Sequence, residues 1–296
     1  MIPALLTTFL WSCSSVCAAR SAKLVGGSTA NLFRMAISAV LLGIWAHTFG
    51  HGLGGAALPW FMASGFVGFG LGDVAMFAAL RRIGPRLTML LTHCIAAPLA
   101  AVTEWLWLDS KLGLPQILCA ELILVGVAIA LAPDRGMNIP RRTFWWGVIF
   151  GVFSAMGQAF GSVLSRQANF AATVAGQHVD GGTAAYERIL AGIVVAFIFF
   201  LALRKREEKP VHVVWPTAWL WIVANALAGP TLGVAVYQWG LATTEQVGIL
   251  MAVVATVPVA TQLLIWWIDG QRPTLRTLFG GVVAVAGVIA LKQVTP

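Results

Sequence analysis

Apolar residues run along this chain in blocks of about twenty, separated by short stretches in which Arg, Lys, Pro and Gly gather. A bilayer core of about 30 Å takes roughly 20 apolar residues per spanning helix. Ten such blocks are present, at approximately 2–20, 28–49, 57–80, 86–107, 112–132, 143–166, 183–203, 215–240, 246–267 and 272–292. They leave no stretch for a soluble domain, so the pattern predicts an all-α integral membrane protein with ten transmembrane helices. Trp45, Trp60, Trp105, Trp107, Trp145, Trp146, Trp215, Trp266 and Trp267 fall near the ends of these blocks, where indole rings favour the membrane interface. The first block ends in "VCAARS" but lacks the basic leader of a signal peptide, and it reads as the first helix.

Composition agrees with the pattern: 59% of residues are hydrophobic, 10% are charged, and the mean hydropathy is +0.85. The net charge of +8 does not point to nucleic acid, because the basic residues are scattered among loops rather than gathered on a folded surface. Their distribution reads as topology. Connections 1–2, 3–4, 5–6, 7–8 and 9–10 hold fourteen of the nineteen Lys and Arg residues, and the other side clearly holds only Lys111, Arg166 and Lys292. The positive-inside rule then puts the odd-numbered connections in the cytoplasm and both termini outside. Cys13, Cys17, Cys94 and Cys119 all lie within spans and lack the neighbouring ligands of a metal site, so they read as packing residues and no metal or cofactor is expected.

The chain also repeats itself. A shift of 160 residues lays "HCIAAPLAAVTEWLWLD" (93–109) on "VVATVPVATQLLIWWID" (253–269) without a gap, matching Pro98 with Pro258, Trp107 with Trp267 and Asp109 with Asp269. Further on, Ile129-Ala130-Leu131 matches Ile289-Ala290-Leu291. Earlier helices align at shifts of 142 and 154, and the difference predicts a longer connection between helices six and seven. Each half, 1–135 and 136–296, therefore holds five spans. An odd number makes the halves cross the membrane in opposite directions, which is the inverted repeat of many secondary transporters, with a site near the midplane.

Two motif regions carry a resemblance to a known family. "LFRMAISAVLL" (32–42) and "GPRLTMLLTHCIAAPLAAVTEWLWLDSKLGLPQILCAELILVGVAIAL" (84–131), the latter echoed at 244–291, are similar to the drug/metabolite transporter superfamily with paired EamA-type domains. The resemblance covers nearly the whole chain, with Asp109 and Asp269 where members typically carry Glu. It implies carriage of small metabolites, often export of amino acids or related solutes, through a cavity lined chiefly by helices one, three, four, six, eight and nine.

Duplication also sorts the polar residues. Those repeated in both halves, Arg34/Arg188 and Asp109/Asp269, suit a scaffold role, with the two aspartates placed to cap helices five and ten. Those present once suit specific chemistry: Asp73 (opposite Gly233), His93 (opposite Val253), Glu104 and Glu121. Ionisable groups inside spans are rare and costly. Asp73 and His93 flank the connection 81–86 at similar separations, which puts them at one depth on adjacent antiparallel helices, where they could share a proton; packing of His93 and a backbone bond for Asp73 are the alternative. Gly65, Gly68 and Gly72 mark a bare face beside Asp73. Glu104, near a helix end, reads as a solvated interfacial carboxylate. Gln158 on helix six and Asn225, Tyr237 and Gln238 on helix eight complete the substrate candidates, with interhelical bonding equally open to them.

The expectation is a secondary transporter of a small organic metabolite in a bacterial-type plasma membrane, working outward by alternating access, with proton coupling as an option and no nucleic-acid partner. The alternatives are an organic-phosphate or sugar-nucleotide exchanger, with Arg34 and Arg188 as anion ligands, and an intramembrane enzyme, for which no nucleophile elbow, phosphate loop or metal cluster is present.

Overall fold

The computed structural model describes residues 1–109, 112–132, 139–203, 215–244, 246–270 and 272–294, side chains of 77 and 84–86 left aside. Among the described residues ten helices are long and apolar enough to cross a membrane: α1 (Ile2–Val25), α2 (Gly27–Thr48), α3 (Leu58–Ile83), α4 (Leu87–Leu108), α5 (Leu114–Leu131), α6 (Arg141–Val174), α7 (Gly181–Ala202), α8 (Trp215–Thr243), α9 (Val247–Asp269) and α10 (Leu275–Val294). The described residues contain no strand. The basic segment 204–209 and Thr295 lie outside the described residues.

Helical backbone continues from α3 into α4, yet the chain reverses there. Gly68 lies beside Gly161 of α6, Gly72 beside Gly157 and Ile83 beside Gly147; beyond the turn, Leu91 lies beside Gly151 and Glu104 beside Arg166. The register on α6 runs down and then back up, so α3 is antiparallel to α6 and α4 is parallel to it.

The halves form an inverted repeat whose symmetry is visible in two irregular stretches. Phe66–Gly72 in α3 and Leu227–Thr231 in α8 are both π-helical, and the 160-residue shift superimposes them. The first packs on α6 and α7, the second on α1 and α2. Each half thus inserts its third helix between the first two helices of the other. A π turn frees backbone carbonyls, and polar side chains on neighbouring helices answer the strain: Ser38 of α2 donates to Ala226 O at 3.1 Å and accepts from Thr231 at 2.9 Å. At the other crossing the bond runs the opposite way: Ser64, on α3 just ahead of its π stretch, donates to Gly161 O of α6 at 2.5 Å. Equivalent helices also meet directly, as in α5 on α10, where Gly126 and Gly280 bring the two backbones together. Such small-residue seams suit helices that gain little hydrophobic energy from association in lipid.

Three sequence expectations change. The longer linker between helices six and seven is mostly helix: α6 runs on to Val174, where Ala168 and Ala172 pack on Phe61 and Ala184, and the connection is only 175–180. Secondly, the matched prolines are not used alike. Pro258 follows a break at Ala255–Thr256 in α9, with Ser12 donating to Val257 O at 3.1 Å, whereas α4 runs unbroken through Pro98. Finally, Asp269 does not cap α10. It ends α9 and forms an ion pair with Arg20 of α1, while Thr274 accepts the Thr277 N–H at 3.2 Å in the capping role. Asp109 terminates α4 with left-handed backbone (φ 51°), and Gln116 accepts the Gly113 N–H ahead of α5 at 2.9 Å.

Candidate functional site

At the crossing of α2, α3 and α7, three charged side chains converge. Arg34 stands two turns into α2 and Arg188 two turns into α7, so both lie well inside the apolar layer rather than at helix ends. Arg34 Nη2 reaches Asp73 Oδ2 at 3.5 Å, and its Nε donates to Asn31 Oδ1 at 2.8 Å. Asp73 follows the π-helical stretch of α3 and is also within electrostatic reach of Arg188. The repeat-related arginines therefore meet around a carboxylate that only one half possesses.

Arg188 is 5% exposed. Its guanidinium carbon sits 4.9 Å from the Phe69 ring centroid, a cation–π distance. Among the described residues no hydrogen bond or ion pair reaches this guanidinium, and its Nε is buried without a partner. Room for it is made by Gly68: a Cβ there would lie 3.1 Å from Arg188 Nη2. Gly65 meets the Arg188 backbone carbonyl directly, and a Cβ on Gly72 would lie 3.2 Å from the Gly157 Cα. The bare face anticipated beside Asp73 is thus the surface on which the second half lies.

Further polar side chains lie on α1, α6 and α8. Tyr237 OH and Ser162 Oγ are 2.7 Å apart, Trp11 lies 5.1 Å from the Tyr237 ring, and Ser14 donates to Asn225 Oδ1 at 2.7 Å. Tyr237 is within electrostatic reach of Arg188. Gln238 is 1% exposed, with neither amide atom partnered. Gln158 is partly buried on α6, where its backbone carbonyl accepts from Ser162 at 2.8 Å. The structure does not pair Asp73 with His93. His93 is partly buried on α4, opposite the middle of α6, while Asp73 turns to the arginines because a carboxylate in this layer gains more from a guanidinium than from a neutral imidazole. Glu187, next to Arg188 in sequence, points away to the Gly54 N–H at 3.5 Å, as neighbouring helix positions must.

Glu104 departs furthest from expectation. It is 2% exposed, accepts the Val247 N–H at the start of α9 at 2.7 Å, and lies 3.2 Å from Arg166 Nε; Arg166 in turn donates to Thr244 O at 2.6 Å. Its position near a helix end suggested solvent, but α6 and α9 close over it. The sequence did hold a signal: Arg166 is one of few basic residues on that face, and it had no assigned partner. The π-helical stretches left no such trace in hydrophobic periodicity, although the first holds Gly68, Gly70 and Gly72 and the second holds Gly229 and Pro230.

No curated protein matches the chain. Among solved structures, one crystal structure of a protein superposes with a TM-score of 0.75 at 19% identity, over 99% of this chain and 98% of that one, which establishes the shared fold. The model of the EamA-like transporter family matches residues 1–132 and 145–292, one match per half. With ten membrane-spanning helices in two inverted repeats and both repeats matched, the chain belongs to the EamA-like transporter family of membrane transporters.

Proposed function

We propose that the protein is a secondary carrier that moves a small organic metabolite, an amino acid or related solute, out of the cell by alternating access. The observation that carries this reading is the placement of Arg34, Asp73 and Arg188 where the two oppositely directed halves interlock, the position at which inverted-repeat carriers hold their solute. Asp73 is the group assigned to proton coupling. A proton on its carboxylate releases Arg34, and loss of the proton restores the ion pair, so the deprotonated carboxylate and an anionic solute compete for the same cations. Gln158, Asn225, Tyr237 and Gln238 serve as uncharged hydrogen-bonding partners. The surplus of arginines over carboxylates also favours a second reading, an organic-phosphate exchanger.

The test is a metabolite-panel transport screen in proteoliposomes with and without an imposed pH gradient. Concentrative, gradient-dependent flux supports the coupled carrier; flux only against an internal counter-solute selects the exchanger, and no flux of any solute sinks both. Orientation is proposed as both termini outside a plasma membrane of bacterial type. A cysteine placed at 204–209 should then label only from the cytoplasm and one at Thr295 only from outside, and the reverse pattern would invert the assignment.

A further inference from the structure

The charges in the cluster do not cancel. Two guanidiniums, Arg34 and Arg188, face one carboxylate, Asp73. Arginine stays protonated in proteins, so the surplus cannot be relieved by losing a proton. Among the described residues the neighbouring carboxylates point elsewhere: Glu187 turns to the Gly54 N–H, and Glu104 is balanced by Arg166. Asp73 is engaged by Arg34, while Arg188 holds a buried Nε with no acceptor and only the Phe69 face for company. An uncompensated cation in a membrane interior costs several kcal/mol and is retained where it has a counter-charge to meet.

We infer that the solute carries a net charge of −1 and that its oxyanion, a carboxylate or a phosphate monoester in its singly charged form, binds the Nε edge of Arg188, with Asp73 setting the charge the site accepts. The proposal rests on the carrier reading and narrows it. A monoanion brings the cluster to neutrality; a zwitterionic amino acid leaves the surplus in place, and a dianion overshoots it. The edge of a guanidinium offers two parallel N–H donors, the fork that matches an oxyanion. Gly68 lets the guanidinium seat against α3, because any side chain there would press on Nη2. Asp73 is then a specificity-determining residue: it is an internal anion that occupies one of two cationic places and leaves the other for the solute.

Equilibrium binding to the full chain in lipid nanodiscs tests this, with labelled lactate, succinate, alanine and glycerol phosphate as probes. For the parent protein, lactate or singly charged glycerol phosphate should bind roughly tenfold or more tighter than alanine and succinate, the size of one charge-assisted contact; which of the two prevails identifies the oxyanion. Arg188→Gln should remove that preference, and Arg188→Lys should keep the preference for charge −1 with weaker affinity, which covers the case in which the glutamine variant does not assemble. Asp73→Asn should shift the preference to succinate. Equal binding of alanine and lactate, no binding of any acid, or an unchanged lactate-to-succinate ratio in Asp73→Asn would overturn the inference. Flux in proteoliposomes separates the two claims: charge-selective binding without flux removes the carrier reading alone, and flux without charge selectivity removes this one alone.

Discussion

α3 and α8 are one helix used twice. Both carry a π-helical stretch at matching positions, both press it against the first two helices of the other half, and a serine bridges each crossing, Ser38 of α2 to the Ala226 carbonyl and Ser64 of α3 to the Gly161 carbonyl. They differ just beyond that stretch. α3 continues with Asp73, which holds Arg34, and α8 continues with Gly233, against which Trp11 packs. Geometry was duplicated and charge was not. The difference teaches that repeated positions build the surfaces that interlock, while the chemistry of a site where two copies meet can come from one copy.

The sharpest way to break this comparison is to remove the unrepeated charge. Asp73→Asn keeps the shape of the side chain, so a correctly inserted protein is expected whose gradient-driven transport falls to background while downhill exchange persists. Adding Gly233→Asp should not restore it, since Trp11 fills that place. Retained concentration of solute by Asp73→Asn with unchanged pH dependence would make the asymmetry merely structural.

Ion pairs between the halves offer a second contrast, because Glu104–Arg166 is buried at one membrane face and Arg20–Asp269 is exposed at the other, with side chains 28% and 37% accessible. Breaking the buried pair with Arg166→Gln should cost about 3–5 kcal/mol, and Arg20→Gln about 0–1 kcal/mol. Thermal unfolding in one detergent would show the difference, and equal losses would mean that the closed face is not the tighter one.

Interlocking glycines come next in size. A Cβ on Gly157 would meet the Gly72 Cα at 2.5 Å, backbone that cannot yield, while one on Gly229 would meet the Ser14 Oγ, which can rotate. Gly157→Ala should therefore lower stability by about 1–3 kcal/mol and Gly229→Ala by less, as read from the two unfolding midpoints.

The smallest effect concerns how the second helix of each half begins. α2 starts after Gly26, which offers no side-chain cap, whereas α7 starts after Asp180, which accepts N–H bonds from Gly182 at 2.9 Å and Thr183 at 3.1 Å and one from the Trp45 indole at 2.8 Å. Burial alone would raise the Asp180 pKa, but the donors from Thr183, Trp45 and Gly182 outweigh it and hold the carboxyl below its ordinary value. Asp180→Ala should cost about 1 kcal/mol. With a lowered folded pKa, that contribution is fully present above the unfolded value of about 3.9 and is lost as pH falls through the folded one, so parent and variant should converge only in acid. A difference that grows on acidification would contradict the capping role.

The spans, their pairing into halves and the opposed directions were legible because hydrophobic blocks and a 160-residue shift are direct properties of the sequence. Within the site, Asp73, Arg34 and Arg188 could be singled out as charges in an apolar layer. What could not be read was who meets whom. Asp73 turns to Arg34 on the helix immediately before its own and toward Arg188 on α7 of the other half, and not to His93 on the helix immediately after its own. Repetition marked Arg34 and Arg188 as scaffold, although they converge on a position that repetition leaves blank. Glu104 looked solvated because depth along one helix says nothing of a neighbour closing over it.

The mutual insertion of α3 and α8 bears on how such a chain can arise. A five-helix half made alone would turn its π stretch toward lipid, and the second half would also leave Arg188 without a counter-charge, since Asp73 pairs with Arg34 inside the first half. The half is therefore not a unit of stability, and an ancestral single copy would have needed a second copy inserted upside down. Fusion at the segment now joining α5 to α6 fixed that inverted partner in place. With two copies present, an aspartate could enter one of them without being written into the other.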